Sequence, residues 1–352
     1  MAAPEADASL DNASQSDASS PPEVAQPSDT ATPDAAASAD ATASVTTMPV
    51  TAQSSATTAP SSADTLEPAV AIATAAPAVP CTPKPQASGG HGPRYSLGDN
   101  LRLQTFPSRD MYPRYLADPR QPMMKGMNLF VLQNDTPQTG SPLFEFTLGG
   151  RAKLLRLHAA DKPEEGLEFS GEAAFIGRFD PTQNYDGIGW DGYYSARFAY
   201  RTSKHLAFKL AAQHDSGHVA DEYIVKTMRK RITYTREEVA LGVMLDFLDY
   251  FRSYVEVGYA FHRGNPKLMK LWRGQTGLEV VYGRFYTATN VTIWQELDFK
   301  PTVTAQLGLI TRDRPSGRRF GICLQFENGR SVLGEFFRDN NRTLGLGFWA
   351  DL

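Results

Sequence analysis

The chain has 352 residues, 35 basic and 39 acidic side chains, and a net charge of −4. Residues 1–93 hold ten acids and a single base, which leaves 34 bases, 29 acids and a net charge of +5 for the rest. Such a weak basic excess does not indicate nucleic-acid binding. The sequence also contains no phosphate-binding glycine motif and no run of 18 apolar residues, which excludes the common nucleotide-binding folds and a transmembrane helix.

Residues 1–93 consist mainly of Ala, Ser, Thr, Pro and Asp and contain no aromatic residue. Without large side chains to bury, such a segment cannot offset the entropy of ordering its backbone, so we predict that it is disordered. No basic and apolar signal sequence follows Met1. Export would therefore require a signal that precedes this sequence or has been removed from it.

The two cysteines, Cys81 and Cys323, are far apart in the sequence. They form neither a disulfide framework nor the spacing of metal ligands. We therefore predict no disulfide, no metal site and no cofactor.

Residues 94–124 form a second segment, which precedes the strand-like part of the chain. It contains the sequence 112–120, in which Pro113 and Pro119 exclude a central β-strand. We predict that 94–124 is a periplasmic plug or collar that packs its tyrosines under the domain that follows.

In the third segment, residues 125–352, apolar and polar residues alternate in blocks of roughly ten to fifteen, which is the period of a β-strand. The block from 190 to 201 shows the pattern best. One face holds Trp190, Gly192, Tyr194, Ala196, Phe198 and Tyr200, and the other holds Asp191, Tyr193, Ser195, Arg197 and Arg201. The pattern predicts about twelve strands, with ten as the alternative and a first strand near 127–133.

Three features favour a membrane barrel over a soluble β-sandwich, which also alternates. The polar face carries charges in mid-strand, as a wet lumen does, and the apolar face is rich in aromatic residues. The blocks are longer than soluble strands, and the last one ends the chain with Phe348 and Trp349. We predict lumen charges at Glu172, Arg197, Glu256, Glu279 and Arg319. The fold class is therefore an all-β, closed antiparallel transmembrane β-barrel in the bacterial outer membrane, with the sandwich as the alternative.

The connections between these blocks alternate in length. Short turns are predicted at 202–204, 248–252, 283–284 and 314–317, and longer loops at 180–189, 215–232, 263–270, 298–301 and 328–341. Outer-membrane barrels have short periplasmic turns and longer outer loops. This topology predicts that the N-terminal segment lies in the periplasm.

The segment 213–218 combines a nucleophile and a base at meaningful spacing. Continued alternation places His214 and Ser216 on the lipid-facing side of a strand at the outer rim. There, His214 could accept the Ser216 proton, and the backbone amide of Gly217 could stabilise an oxyanion. Glu237, on the same face of the next strand, is the predicted residue that orients the imidazole.

Asp221 and Glu222 are the alternatives to Glu237 for that orienting role. The favoured interpretation of the whole segment is nevertheless structural: a polar rim cluster whose hydrogen bonds order the loop 215–232. The hydrolase and a metal or ligand site are the other two interpretations.

Two resemblances bear on this segment. The His-x-Ser sequence resembles the catalytic pair of outer-membrane phospholipase A and of the lipid A deacylases, whose serine works from the lipid-facing surface. Those enzymes continue with Asn and Gly, whereas this chain has Gly217 and His218. Residues 100–352 as a whole resemble the bacterial domain of unknown function 1207, on the segments 112–120, 214–223 and 334–337. That resemblance implies the barrel fold and carries no activity.

The predicted function is that of an integral outer-membrane barrel with a non-catalytic pore, surface or structural role. The alternative is a lipid-facing Ser/His hydrolase acting on acyl esters of phospholipid or lipid A. The expected partners are membrane lipids, the barrel-assembly machinery and lipopolysaccharide, whose phosphates Arg229, Lys230 and Arg231 could contact. A merely solvated loop is the equal alternative for these three residues.

Overall fold

The computed structural model describes residues 92–137, 139–312 and 318–351. The predicted disordered segment lies outside the described residues except for its last two positions, and so does Cys81. The strands, in chain order, are β1 Arg94–Ser96, β2 Leu101–Thr105, β3 Met124–Asn134, β4 Leu143–Ala159, β5 Lys162–Asp180, β6 Asp186–Arg201, β7 Leu206–Val219, β8 Thr235–Phe247, β9 Phe251–Arg263, β10 Trp272–Tyr282, β11 Phe285–Trp294, β12 Pro301–Arg312, β13 Arg319–Arg330 and β14 Asn340–Asp351. The helix α1 is Asp221–Thr227, and short 3-10 turns lie at Pro181–Gln183, Gln295–Leu297 and Gly334–Phe336. No helix in the described part of the chain is long and apolar enough to cross a membrane.

Strands β3 to β14 each pair antiparallel with their sequence neighbours, and β3 also pairs with β14. This last pairing closes the sheet into a barrel of twelve strands, which confirms the prediction of twelve over ten. The first strand begins at Met124 and so is longer than the predicted 127–133. Strand β2 pairs with the far half of β4, beyond the residues of β4 that pair with β3, and β1 pairs with β2.

The alternation of the sequence becomes the two surfaces of the barrel wall, because successive side chains of a strand point to opposite faces. On β6, Trp190 and Tyr194 are exposed on the outside, whereas Asp191 and Arg197 are buried in the lumen. Large apolar residues such as Leu241, 62% exposed, cover the outside of the other strands as well. A charged interior and an apolar exterior are the inverse of a water-soluble protein, so the β-sandwich alternative is wrong.

Ion pairs fill the lumen. All five predicted lumen charges are buried there. Arg273 lies 2.5 Å from Glu238 and 2.7 Å from Glu256, which also pairs with Lys209. Buried charges are tolerated when they are paired in this way, because an unpaired one costs several kcal/mol, on the order of 3–5.

Residues 106–123, named the plug from here on, run through this lumen. The Tyr115 ring stacks on Tyr254 of β9 at 3.6 Å, and its hydroxyl donates to Glu256 at 2.9 Å. The Leu116 amide donates to Glu279 of β10 at 2.7 Å, and Arg114 pairs with Asp351 at the end of β14. Tyr112 and Tyr115 of the predicted plug or collar thus lie inside the barrel rather than beneath it, whereas Tyr95 of β1 is 52% exposed.

The two ends of the barrel differ. The end that carries Met124 and Asp351, the terminal end, has the short strand connections, and the opposite loop end has the longer ones. Helix α1 and the segment 331–339 fold over the loop end, where the buried carboxylate of Glu335 accepts the amides of Ile232, at 2.7 Å, and Tyr234, at 2.9 Å. A cavity of about 70 Å³ remains between the plug and the wall.

Candidate functional site on the outer face

Strand β7 carries the candidate residues on two opposite faces. His214, Ser216 and His218 point outward, and Asp215 and Gly217 point into the lumen. Since β7 continues to Val219, Ser216 belongs to the strand, and the predicted loop 215–232 begins at Ala220. The strand continues because Asp215 pairs with Arg120 in the lumen and lies opposite Arg236 of β8, and because the Gly217 amide donates to Tyr234, the residue before β8.

His214 is hydrogen-bonded to a carboxylate of the neighbouring strand. The register pairs His214 of β7 with Glu237 of β8, and the Nδ1 atom of His214 lies 2.6 Å from Oε1 of Glu237. Their side chains are 16% and 30% exposed. The two alternatives for this role lie elsewhere: Asp221 pairs with Arg231 at 2.7 Å, and Glu222 is exposed on α1.

Ser216 lies between two stacked ring pairs. The Trp190 and His218 rings stack at 3.9 Å, and the Tyr194 and His214 rings stack at 4.4 Å. Gly192 faces Ser216 on β6, and a Cβ at this glycine would lie 3.4 Å from Ser216 Oγ. The glycine therefore leaves open space beside the hydroxyl. This arrangement is named the Ser216 cleft.

His214 and Ser216 share the cleft without a hydrogen bond between them, as far as the described residues go. The Nε2 atom of His214 remains available, because Nδ1 carries the bond to Glu237. Catalytic hydrogen bonds are often long in enzymes without substrate and tighten when the substrate binds. The cleft therefore holds a serine hydroxyl and a carboxylate-bound imidazole on one face, without a hydrogen bond between them among the described residues.

Gly217 does not provide an oxyanion donor here. Its amide donates to the carbonyl oxygen of Tyr234 at 2.9 Å, just beyond the last pair of β7 and β8, Ser216 with Thr235. Its α-carbon faces the lumen, where a Cβ would lie 2.9 Å from the Glu335 nitrogen. The sequence pattern could not show this, because the partner of an amide depends on the register of the next strand.

Two carboxylates lie directly behind the cleft. The sequence predicted Asp215 only as a member of the polar rim cluster and did not assign Asp191 to the site. Asp191 follows Trp190 on β6, and Asp215 precedes Ser216 on β7. Arg120 of the plug donates to Asp191 at 2.7 Å and to Asp215 at 2.5 Å. Burial lowers the pKa of Arg120, but these two carboxylates outweigh it and raise that pKa above its ordinary value. Alternation had already assigned Asp191 to the lumen, and Arg120 ends the segment 112–120. The sequence therefore pointed to both residues but not to the contact between them.

The three predicted anion contacts have different surroundings. Arg229 donates to both oxygens of Asp339, at 2.8 and 3.1 Å, and its guanidinium lies 4.3 Å from the Phe336 ring. Arg229 therefore fastens the loop after α1 to the segment 331–339, and the expectation of a free phosphate contact is wrong for this residue. Arg231 and Lys230 are exposed, Arg231 being paired with Asp221.

The chain was compared with known proteins and structures. Residues 98–350 match the family described as Protein of unknown function (DUF1207). No curated protein sequence matches significantly.

Several outer-membrane barrels share the fold at low identity. The Salmonella typhi outer membrane phospholipase dimer with bound calcium is 9% identical with a TM-score of 0.50, over 68% of this chain and 95% of that chain. Outer membrane phospholipase A from Escherichia coli is 10% identical with a TM-score of 0.49, over 66% and 93%. The KdgM porin is 8% identical with a TM-score of 0.40, over 65% and 98%. At such identities the likeness shows the fold alone. The chain therefore belongs to the DUF1207 family and folds as an outer-membrane-type β-barrel of twelve strands.

Proposed function

We propose that this protein hydrolyses acyl esters of membrane lipids at the Ser216 cleft. The observation that carries the proposal is the bond of 2.6 Å between His214 and Glu237 beside a serine on the lipid-facing side of the wall. A histidine held by a carboxylate next to a serine is the arrangement that activates a serine nucleophile. The fold shared with outer membrane phospholipase A adds only that such a wall supports this chemistry in another protein.

The proposed step uses the residues of the cleft. Glu237 accepts a hydrogen bond from the Nδ1–H group of His214, so Nε2 is the basic nitrogen. Ser216 Oγ attacks the acyl carbonyl carbon and gives its proton to Nε2, and the lipid alcohol leaves with that proton. Water then hydrolyses the acyl-serine through the same base.

The oxyanion needs a donor other than the Gly217 amide. Thr235 is directly opposite Ser216 in the pairing of β7 with β8. Side chains of such directly opposed residues lie about 5 Å apart at Cβ. Its hydroxyl is therefore the candidate donor, with the lipid carbonyl lying between the two strands.

We infer that the loop end faces the cell exterior and that the N-terminal segment emerges on the periplasmic side. The support is the difference in connection length between the two ends, since barrels of this type have short periplasmic turns. In this orientation the Ser216 cleft meets the outer leaflet, where phospholipid or lipid A is the substrate and lipopolysaccharide surrounds Arg231 and Lys230. The outer-membrane-type fold likewise supports insertion by the barrel-assembly machinery.

A serine-reactive fluorophosphonate probe tests the nucleophile. We expect labelling of the wild type and loss of labelling in Ser216→Ala, because the probe reacts with a serine that an adjacent base has activated. Ser195→Ala is the matched control: Ser195 lies on the neighbouring strand but is buried in the lumen, so this variant is expected to label like the wild type. Labelling that persists in Ser216→Ala would contradict the proposal.

A non-catalytic surface or structural role is the second candidate. Two observations favour it: the described residues show no bond from His214 to Ser216, and the Gly217 amide is already occupied. In this case the cleft residues serve to order the loop that follows β7. Absence of lipid turnover by the folded wild type, together with a lower unfolding temperature of Ser216→Ala, would favour this role over hydrolysis.

A pore is the version of that role that the geometry supports least. The plug and the lumen ion pairs leave separate cavities, one of about 70 Å³ beside Tyr115 and one of about 230 Å³ lined by Glu279 and Arg319, and the two share no lining residue. We expect no stable single-channel conductance from the full chain in planar bilayers. Reproducible conductance steps from heat-modifiable, folded protein would show that the plug moves and would restore the pore hypothesis.

A further inference from the structure

A groove of about 450 Å³ lies on the outer face beside the Ser216 cleft, at the loop end. Its lower wall consists of Phe175, Phe179 and Trp190, and its upper wall consists of Asp221, Glu222 and Arg231. His218 also lines it, and the groove shares the stacked pair of Trp190 and His218 with the cleft. A concave site of this size suits one small amphiphilic ligand.

The lower part of the groove is aromatic. The Phe175 and Trp190 rings lie 5.2 Å apart, and the Phe146 ring lies 5.7 Å from both Phe175 and Phe179. Gly177 leaves the space that the Phe146 ring occupies, because a Cβ there would come within 2.7 Å of that ring. The result is a smooth apolar surface at the level where acyl chains surround the barrel.

The upper part of the groove carries two carboxylates, Asp221 and Glu222, and the cation of Arg231; Arg178 also lines the groove, but its buried guanidinium is paired with Glu145 at 2.6 Å. Arg231 pairs with Asp221 at 2.7 Å, and both side chains are more than half exposed. Glu222 is exposed and has no ion-pair partner among the residues that the structure describes. A ligand that completes this set carries a cation for Glu222, and its anion can share Arg231 with Asp221, because the bond of 2.7 Å to Asp221 uses one guanidinium nitrogen.

We propose that the groove binds a phospholipid whose zwitterionic headgroup bears an ammonium, as a phosphoethanolamine headgroup does. The ammonium lies at Glu222, the phosphate at Arg231 and the chains against the phenylalanines. Ser216 is two residues from His218, about 7 Å at roughly 3.3 Å per residue, and the glycerol esters of a phospholipid lie between headgroup and chains. This inference rests on the proposed function. It makes an ammonium-bearing phospholipid the substrate in preference to lipid A, because the phosphates of lipid A leave Glu222 without a counter-ion.

Lipid retention measured by native mass spectrometry tests the groove separately from hydrolysis. The protein is full-length Ser216→Ala, which cannot turn the lipid over, and the probes are dioleoyl phosphatidylethanolamine and dioleoyl phosphatidylglycerol. We expect about threefold preference for the ethanolamine lipid, the size of one exposed ion pair. Adding Glu222→Gln is expected to abolish the preference, and Phe179→Ala is expected to weaken the retention of both lipids.

Glu164→Gln is the matched control, since this exposed glutamate lies at the terminal end of the barrel and its loss is expected to leave the preference unchanged. Equal retention of the two lipids, or a preference that survives Glu222→Gln, would overturn the proposal. A preference without fluorophosphonate labelling of the wild type would leave the groove intact and remove the hydrolase. Fluorophosphonate labelling of the wild type without a lipid preference would support the hydrolase and overturn the groove proposal.

Discussion

Replacing Arg120 by methionine is expected to lower the free energy of unfolding by about 3–5 kcal/mol. The guanidinium lies between Asp191, which is fully buried, and Asp215, and it joins the plug to β6 and β7. Removal of the cation leaves two neighbouring carboxylates without compensation in a medium of low dielectric constant. The loss can be measured by denaturant unfolding of the full chain in detergent micelles, followed by heat-modifiable gel mobility.

Arg109→Met is the control for this experiment. Arg109 lies in the plug as well, but its pair with Glu164 is solvent-exposed at 3.4 Å, so its loss is expected to cost less than about 1 kcal/mol. The triple variant with Asp191→Asn, Asp215→Asn and Arg120→Met is expected to recover much of the stability, because no charge is then left unpaired. Arg120→Met with wild-type stability would mean that water compensates the two carboxylates.

Replacing His214 by alanine is expected to lower kcat for lipid ester hydrolysis by about 10²–10⁴, the usual contribution of a general base. KM is expected to change little, because the groove and not the imidazole holds the lipid. Glu237→Gln keeps a hydrogen-bonding side chain but removes the charge that stabilises the imidazolium, so a smaller loss in kcat is expected. The measurement is release of free fatty acid from mixed micelles of detergent and phospholipid.

His205→Ala is the matched control, because His205 is an exposed histidine in the turn between β6 and β7 at the opposite end of the barrel. This variant is expected to retain wild-type kcat. An active His214→Ala protein would exclude His214 as the base and return the cleft to a structural role.

The fold was largely predictable because the strands of the barrel wall follow a local pattern, the alternation of apolar and polar residues. Trp190 and Tyr194 alternate with Asp191 and Arg197, and this period alone assigns each side chain to lipid or lumen. Counting residues along β7 and β8 with the same period predicted that Glu237 lies on the same face as His214. The structure places the two residues directly opposite each other. Such inferences require only the sequence of one strand and of the strand that follows it.

What could not be predicted depends on residues far apart in the sequence. Tyr115 meets Glu256 across 141 positions and Leu116 meets Glu279 across 163, so two prolines could exclude a strand at the plug without locating it inside the lumen. The extension of β7 to Val219 depends in the same way on Arg120, 95 positions from Asp215. The hydrogen-bond partner of the Gly217 amide depends on the exact register of β8. Alternation does not determine that register, because a shift by any even number of residues keeps each side chain on the same face.

The position of the plug constrains how the polypeptide reaches its final form. Arg114 of the plug and Arg319 of β13 both bind Asp351, the last residue described, next to the seam where β14 meets β3. The other strand contacts of the plug are spread along the chain, from β4, where Arg151 and Lys153 pair with Asp110, to β6, β7, β9 and β10. A barrel that had already closed would have to admit this segment, with its charged side chains, through one of its ends. We therefore expect closure of the seam to be coupled to enclosure of the plug, because the Asp351 carboxylate binds Arg319 of the wall and Arg114 of the plug at the same time.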